Sequence, residues 1–188
     1  NDGTFVSWHQ DGTTQWQAPD LDAGTHGFNF MTNLYETNAE NALWVIPETH
    51  NIGKIDIQNV VEQNGSDELP DAVPMLCRPG DVAICNRQAL HGSFANVSPT
   101  TRATFVFGFH RRASVLNAAG WGEIRYDEER VHQRCRIIAL AIDARAQHFP
   151  EEQPYEYQPL ADAAEQNRWS DYSREHLLKN YNLNDLGI

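Results

Sequence analysis

The sequence has three cysteines, no C-x-x-C pair, no basic excess and no long apolar run. Each absence closes off a class. Cys77, Cys85 and Cys135 are an odd number, at spacings that make neither a disulfide framework nor a zinc ribbon. They read as buried thiols in a reducing, cytoplasmic setting. Without a run of about 18 apolar residues, no membrane span is expected. Lysine and arginine total 14 against 26 acidic residues, a net charge of -12. A nucleic-acid partner asks for a basic face, so none is expected. No signal peptide is visible and there is no initiator methionine. The chain opens on Asn1-Asp2 and reaches its most chemical segment by Trp8, so its start reads as incomplete.

What is present fits a folded protein. The length of 188 residues, an apolar share of 40% and five tryptophans suit one domain with a real core. Charge is uneven along the chain. Up to residue 80 there are 12 acidic residues against Lys54 and Arg78, so an anionic ligand is expected to meet the second half.

Strands are predicted over residues 4–10, 27–35, 42–46, 73–77, 82–86, 90–95 and 102–110. In 27–35, Phe28, Phe30, Thr32 and Leu34 share one face, and Asn29, Met31, Asn33 and Tyr35 the other. In 102–110, Phe105, Phe107 and Phe109 form a row expected in the core, opposite the face of Arg102. A short helix is expected near Ile57 to Gln63, inside a polar, acidic stretch that reads as a lid or rim. After Arg112 the pattern turns helical. Residues 127–146 open on Asp127, Glu128 and Glu129, and carry Val131, Cys135, Ile138 and Ile142 at helical spacing. Residues 150–160 read as an extended strap. Ser170 is placed to cap a last helix through Asn180, with Glu175 and Lys179 as an i,i+4 pair. The expected organisation is a single catalytic domain over 1–188, with a barrel portion to about residue 112 and a helical portion from about 113.

The sharpest local feature is Trp8-His9-Gln10-Asp11-Gly12. On an extended backbone His9 and Asp11 point the same way, about 7 Å apart at Cα, so an imidazole nitrogen and a carboxylate oxygen can meet one ion. H-x-D alone is common. His91, just after the 82–86 strand, adds a second imidazole. Two histidines and one carboxylate make a facial triad suited to non-haem Fe(II), with positions left open. The same set could hold zinc in a hydrolase. Arg102, with Ser93 nearby in sequence, offers a guanidinium and a hydroxyl for a carboxylate, as a chelating dicarboxylic oxo acid would need. Other residues have milder readings. Trp8 is expected in core packing and His26 at the surface. His50 is read as structural or solvated, His110 to Arg112 as a solvated basic patch, and Asn86 and Arg87 as candidates for a support behind His91.

Taken together, Trp-His-Gln-Asp-Gly, Asn41-Ala42-Leu43-Trp44-Val45-Ile46-Pro47-Glu48-Thr49-His50, Arg78-Pro79-Gly80-Asp81 and His91-Gly92-Ser93-x-x-Asn96-x-Ser98-x-x-x-Arg102 resemble the phytanoyl-CoA dioxygenase family, from residue 6 to about residue 110. The resemblance implies a mostly β fold with supporting helices, a double-stranded β-helix of the jelly-roll, cupin-like kind. It implies Fe(II), 2-oxoglutarate and O2 as cofactors and cosubstrates. His9, Asp11 and His91 match the iron ligands, and Arg102 and Ser93 the residues that hold the distal carboxylate of 2-oxoglutarate. Family members carry further residues, including the first barrel strands, ahead of the H-x-D motif. This barrel is therefore expected to lack its N-terminal part and to leave an open edge. Asn41-Ala42 stands where the family has a glycine, and Pro47-Glu48-Thr49-His50 where it has P-G-S-H.

The function this implies is hydroxylation of a small-molecule substrate. Halogenating relatives carry Gly or Ala where this chain has Asp11, so chloride finds no vacant position here. The acidic 55–72 stretch has no basic cluster for a CoA phosphate, which argues against a CoA thioester. The rival readings are a zinc hydrolase on the same triad and a binding or scaffold protein on the same fold.

Overall fold

A computed structural model describes residues 5–12, 26–118 and 125–177. The chain divides into two compact units, Asn1–Ser114 and Val115–Ile188.

The first unit is built of two antiparallel sheets. One has the order β1 (Val6–His9), β6 (His91–Ser93), β3 (Leu43–Val45), β4 (Val73–Pro74). The other has the order β5 (Val82–Asn86), β2 (Gly27–Asn33), β7 (Thr104–His110). Apart from β3 and β4, successive strands change sheet, which is the winding of a double-stranded β-helix. Most strands are shorter than the expected ones, while β5 has the expected bounds. β4 stops at Pro74, and β7 starts at Thr104, so Arg102 lies in the approach to the strand instead of in it.

Between the sheets, Met31, Cys85 and Ala89 pack with Leu43, Val45, Met75 and Ala83. A second cluster lies behind β1, where Trp8, Leu69 and Leu90 are joined by Ile55, Ile57, Val60, Val61 and Ala72. Leu90 is almost fully buried, worth about 2 kcal/mol, and it anchors the residue just before His91. The same cluster fixes the acidic 55–72 stretch. Its helix α1 (Ile57–Asn64) is capped by Asp56, whose side chain accepts from the Asn59 amide, and ends at Gly65 with φ 70°. This segment is fastened down by its own apolar residues and does not stand free as a lid.

The three phenylalanines of β7 correct the expectation of a core row. Phe105, Phe107 and Phe109 are 57%, 55% and 40% exposed. They share their face with Phe28, Phe30 and Thr32 through the β2–β7 register, while the alternate residues Asn29 and Met31 turn inward and are buried. Alternation fixes the two faces correctly; which one turns inward is the reverse of what hydrophobicity suggests. β7 pairs with β2 alone among the described strands, and Val106 on its other face is also exposed.

In the second unit, α3 (Glu128–His148) is capped by Asp127, which accepts from the Arg130 amide. Val131 packs with Val115 and Tyr126, and Cys135 joins that cluster. Leu140 is buried, whereas Ile138 and Ile142 of the expected stripe are half-buried. The expected extended strap is helical in its later part, since 3-10 turns run over Gln158–Asn167. A short helix α2 (Arg112–Val115) precedes α3, and α4 covers Asp171–Leu177 with the Ser173 amide bonded to Ser170 Oγ. Lys179, the expected partner of Glu175, lies outside the described residues. No helix among the described residues is long and apolar enough to cross a membrane. Of the three cysteines, all free, only Cys85 is buried.

Candidate metal centre

Alternation along Trp8-His9-Gln10-Asp11 divides labour between two sides of the chain. Trp8 and Gln10 turn into the body. Trp8 Nε1 donates to the Asp67 carbonyl at 2.7 Å. Gln10 is buried and uses its whole amide: Nε2 donates to the carbonyls of Gln88 (2.8 Å) and Gly53 (3.1 Å), and Oε1 accepts from the Ile55 amide (2.9 Å). With these two anchored, His9 and Asp11 are directed to the opposite side.

His91 comes to them through strand pairing. His9 and His91 are register partners in β1 and β6, and directly opposed residues stand close. Their rings lie 4.2 Å apart at the centroids, tilted by 47°. Gly92 allows the strands this approach, since a Cβ there would sit 2.9 Å from the Val6 carbonyl oxygen. Thr49 ties the other side of His91 down: its hydroxyl donates to the Ile46 carbonyl at 2.6 Å and accepts from the Leu90 amide at 2.8 Å. The residue before it, Glu48, holds a left-handed φ of 64° where the family motif has glycine, a conformation that costs an L-residue about 1–2 kcal/mol.

The hydrogen bonds set the histidine tautomers. His9 Nδ1 is 2.7 Å from the Ser7 carbonyl and His91 Nδ1 is 2.8 Å from the Ala89 carbonyl. A carbonyl only accepts, so each Nδ1 carries the proton and each neutral ring keeps a lone pair on Nε2. Those Nε2 atoms face one carboxylate: His9 Nε2 is 3.6 Å from Asp11 Oδ1, and His91 Nε2 is 3.7 Å from Asp11 Oδ2. Burial, and next the neighbouring His9, pushes His91 below the usual histidine range, which favours its neutral, lone-pair-bearing form. One potential ligand atom from each of His9, Asp11 and His91 falls within 4.8 Å of the others. Two neutral imidazoles and a carboxylate so arranged are a donor set that fits a divalent cation. Negative charge from Asp11 reaches further: after burial, it is the next cause raising the Cys85 thiol.

The other two expected site residues are also brought together. Ser93 is buried and shares a face of β6 with His91, two residues on. Arg102 Nη2 is 3.5 Å from Ser93 Oγ, and its Nη1 donates to the Asn41 carbonyl at 3.0 Å. Asn41 is itself buried, with its side-chain amide donating to Ser98 and Thr100 and its Oδ1 accepting from the Asn38 amide. The carbonyl that Arg102 uses is main-chain and any residue would supply it; the asparagine adds a side chain that ties this turn to Ser98 and Thr100.

Some expectations change at this point. His26 is not a surface residue; it is 3% exposed, with Nδ1 2.7 Å from Ser114 Oγ. His110 is half-buried, and its Nε2 accepts from Arg87 Nη1 at 2.8 Å, so it does not belong with a solvated patch; Arg111 is exposed but its Nε donates to Ser114 Oγ at 2.8 Å. Asn29, which sequence reasoning passed over, donates from Nδ2 to Asp11 Oδ2 at 2.7 Å. The available signal was an asparagine, a poor strand former, on the face of β2 opposite the phenylalanines.

Among solved structures the chain is similar to EvdMO1, with 24% identity and a TM-score of 0.46 over 58% of this chain and 24% of that one. It is similar to EctD from S. alaskensis in its apo form, with 22% identity and a TM-score of 0.49 over 67% and 47%. A third is HygX from Streptomyces hygroscopicus, solved with nickel and 2-oxoglutarate bound, with 14% identity and a TM-score of 0.46 over 57% and 51%. The chain therefore spans from about a quarter to about half the length of these proteins. No functionally curated protein matches it. The family profile for phytanoyl-CoA dioxygenase (PhyH) matches residues 1–104, a stretch that holds His9, Asp11, His91, Ser93 and Arg102 and exceeds half the sequence, and the chain belongs to that family.

Proposed function

We propose that this chain forms the metal-binding core of an Fe(II)- and 2-oxoglutarate-dependent dioxygenase that hydroxylates a small molecule. The observation that carries the reading is the pair of Nδ1 bonds to backbone carbonyls, which turns both Nε2 lone pairs toward Asp11. His9, Asp11 and His91 would hold the iron. When bound, iron with 2-oxoglutarate and O2 supplies the oxidant for a C–H bond, with succinate and carbon dioxide as the other products.

The protein's own residues have three tasks in this reading. The triad offers one face of donors and leaves the rest of the coordination sphere open. Arg102 and Ser93 bind the distal carboxylate of 2-oxoglutarate, the guanidinium as a charged double donor and the hydroxyl as a third. Burial of Arg102 lowers its pKa, the mark of a charge partly removed from water, and an incoming carboxylate offsets that cost. Asp11 fills the position a halide would otherwise take, so hydroxylation is the expected outcome over halogenation. Three free cysteines suit a reducing, cytoplasmic setting.

Anaerobic calorimetry tests this. 2-Oxoglutarate is expected to bind once Fe(II) has been added and not before. Equal binding with and without Fe(II), or none with it, would refute the reading.

A further inference from the structure

The carboxylate of Asp11 is held from behind. Its Oδ2, 3.7 Å from His91 Nε2 on the site side, accepts from Asn29 Nδ2 at 2.7 Å and lies 4.0 Å from Arg87 Nε. Its backbone amide donates to the Arg87 carbonyl at 2.9 Å. One residue, Arg87, thus reaches Asp11 with both its main chain and its side chain. The guanidinium then runs on across β2 and β7 to His110 Nε2, 2.8 Å from Nη1. That course is open because Gly108 has no side chain: a Cβ there would stand 2.5 Å from Arg87 Nη1. At Gly27 a Cβ would meet the Phe109 carbonyl oxygen first, and Arg87 Cδ at 3.1 Å. Gly108 is the register partner of Asn29, and Gly27 that of His110. The four residues form two cross-strand pairs on one face of the sheet, with the Phe28–Phe109 pair between them on the other. Glycine is otherwise a poor choice within a strand, so Gly108 has a reason in Arg87.

We infer that Asn29 and Arg87 are positioning residues that hold Asp11 Oδ2, so that Oδ1, which faces His9, is the oxygen offered to the metal. The inference rests on the metal reading of His9, Asp11 and His91. A free carboxylate can chelate a divalent ion through both oxygens, which occupies one more position. With Oδ2 engaged by Asn29 and drawn toward a cation, Asp11 contributes one bond, and a position is kept for cosubstrate or oxygen. Groups behind a ligand commonly set its orientation, and their loss costs about tenfold to a hundredfold in metal affinity.

The test uses Mn(II) and the full chain, with two readouts: the dissociation constant, and the water-proton relaxation enhancement that reports exchangeable waters on the bound ion. In Asn29→Leu, similar in shape but without a donor, Mn(II) affinity should fall about tenfold or more and the enhancement per bound ion should drop as the carboxylate turns bidentate. Gly108→Ala, which touches no ligand, should weaken Mn(II) binding by displacing Arg87, and should have no further effect in an Arg87→Met background. Far-UV circular dichroism checks folding, and Asn29→Leu decides the matter if Gly108→Ala fails to fold. Unchanged affinity and enhancement in Asn29→Leu, or an equal effect of Gly108→Ala with and without Arg87, would overturn the inference. Failure of the unmodified chain to bind Mn(II) would instead strike the metal reading itself.

Discussion

Along β2, Asn29, Met31 and Asn33 face the interior between the two sheets and are all buried, at 7%, 6% and 6% exposure. Phe28 and Phe30 alternate with them on the outside, where Phe28 is 36% exposed. A barrel strand ordinarily shows the opposite preference. The difference follows from what the interior contains. Asn29 bonds Asp11, and Asn33 accepts from Thr104 Oγ1 at 2.7 Å, so each buried amide has a partner, as burial of polar groups demands. Between them Met31 sits in the small apolar cluster with Cys85 and Ala89. One face is organised by hydrogen bonds around a carboxylate, the other is a sheet of aromatic rings. Substitutions on the two faces should therefore fail in different ways.

The largest effect is expected where the interior is most polar. Asp11→Gly should weaken divalent-metal binding by more than the roughly hundredfold cost of losing a supporting group and abolish succinate formation, while the fold survives, since the three Gln10 side-chain bonds and the main-chain bond from residue 11 to Arg87 are kept. Full metal affinity in that variant would mean the polar interior face serves some other purpose. Next comes Met31→Ala. It removes a buried side chain from a close-packed cluster and should cost about 2–4 kcal/mol in urea unfolding. A cost near zero would show the interior to be loosely filled. Arg102→Ala should be gentler and more selective. 2-Oxoglutarate affinity should fall about tenfold to a hundredfold, the loss of a charged hydrogen-bonding partner, with Fe(II) affinity nearly unchanged. Equal loss for both ligands would place Arg102 in the support of the fold instead of on the cosubstrate.

Much of the candidate site was legible in the sequence because its residues fall in two short stretches of the chain. His9 and Asp11 are two apart on a strand end, and His91, Ser93 and Arg102 fall within residues 91–102. Their types and spacing determine how they meet once β1 pairs with β6. The support was less legible. Asn29, Arg87 and Gly108 come from three strands or their ends and share no motif; only the β5-β2-β7 register makes them neighbours. The orientation of the sheet is not legible, for a related reason. The period of two in Thr104–His110 is unambiguous, but it assigns residues to faces without saying which face is inside. Hydrophobicity normally decides that, and here the interior combines a small apolar cluster with hydrogen-bonded polar groups.

The smallest expected effect concerns the outer rings, and it sharpens the comparison within that face. Phe105 is 57% exposed, lies opposite Thr32 in the register and keeps most of its ring in water. Replacing it with threonine, a good strand former, should cost less than about 1 kcal/mol, near the range of surface substitutions. Phe109 sits on the same face but is 40% exposed and stacks on Phe28 at 5.2 Å between centroids, with Phe30 edge-on at 6.2 Å. An aromatic pair adds about 0.5–1.5 kcal/mol beyond the area it covers, so Phe109→Thr should cost clearly more than Phe105→Thr. Urea unfolding of both variants in parallel measures the gap. Equal costs near zero would mean the stack contributes nothing in solution. A cost of about 3 kcal/mol or more for Phe105→Thr, as for a core aromatic, would mean that its ring is buried in solution, and the contrast between the two faces of this sheet would then be lost.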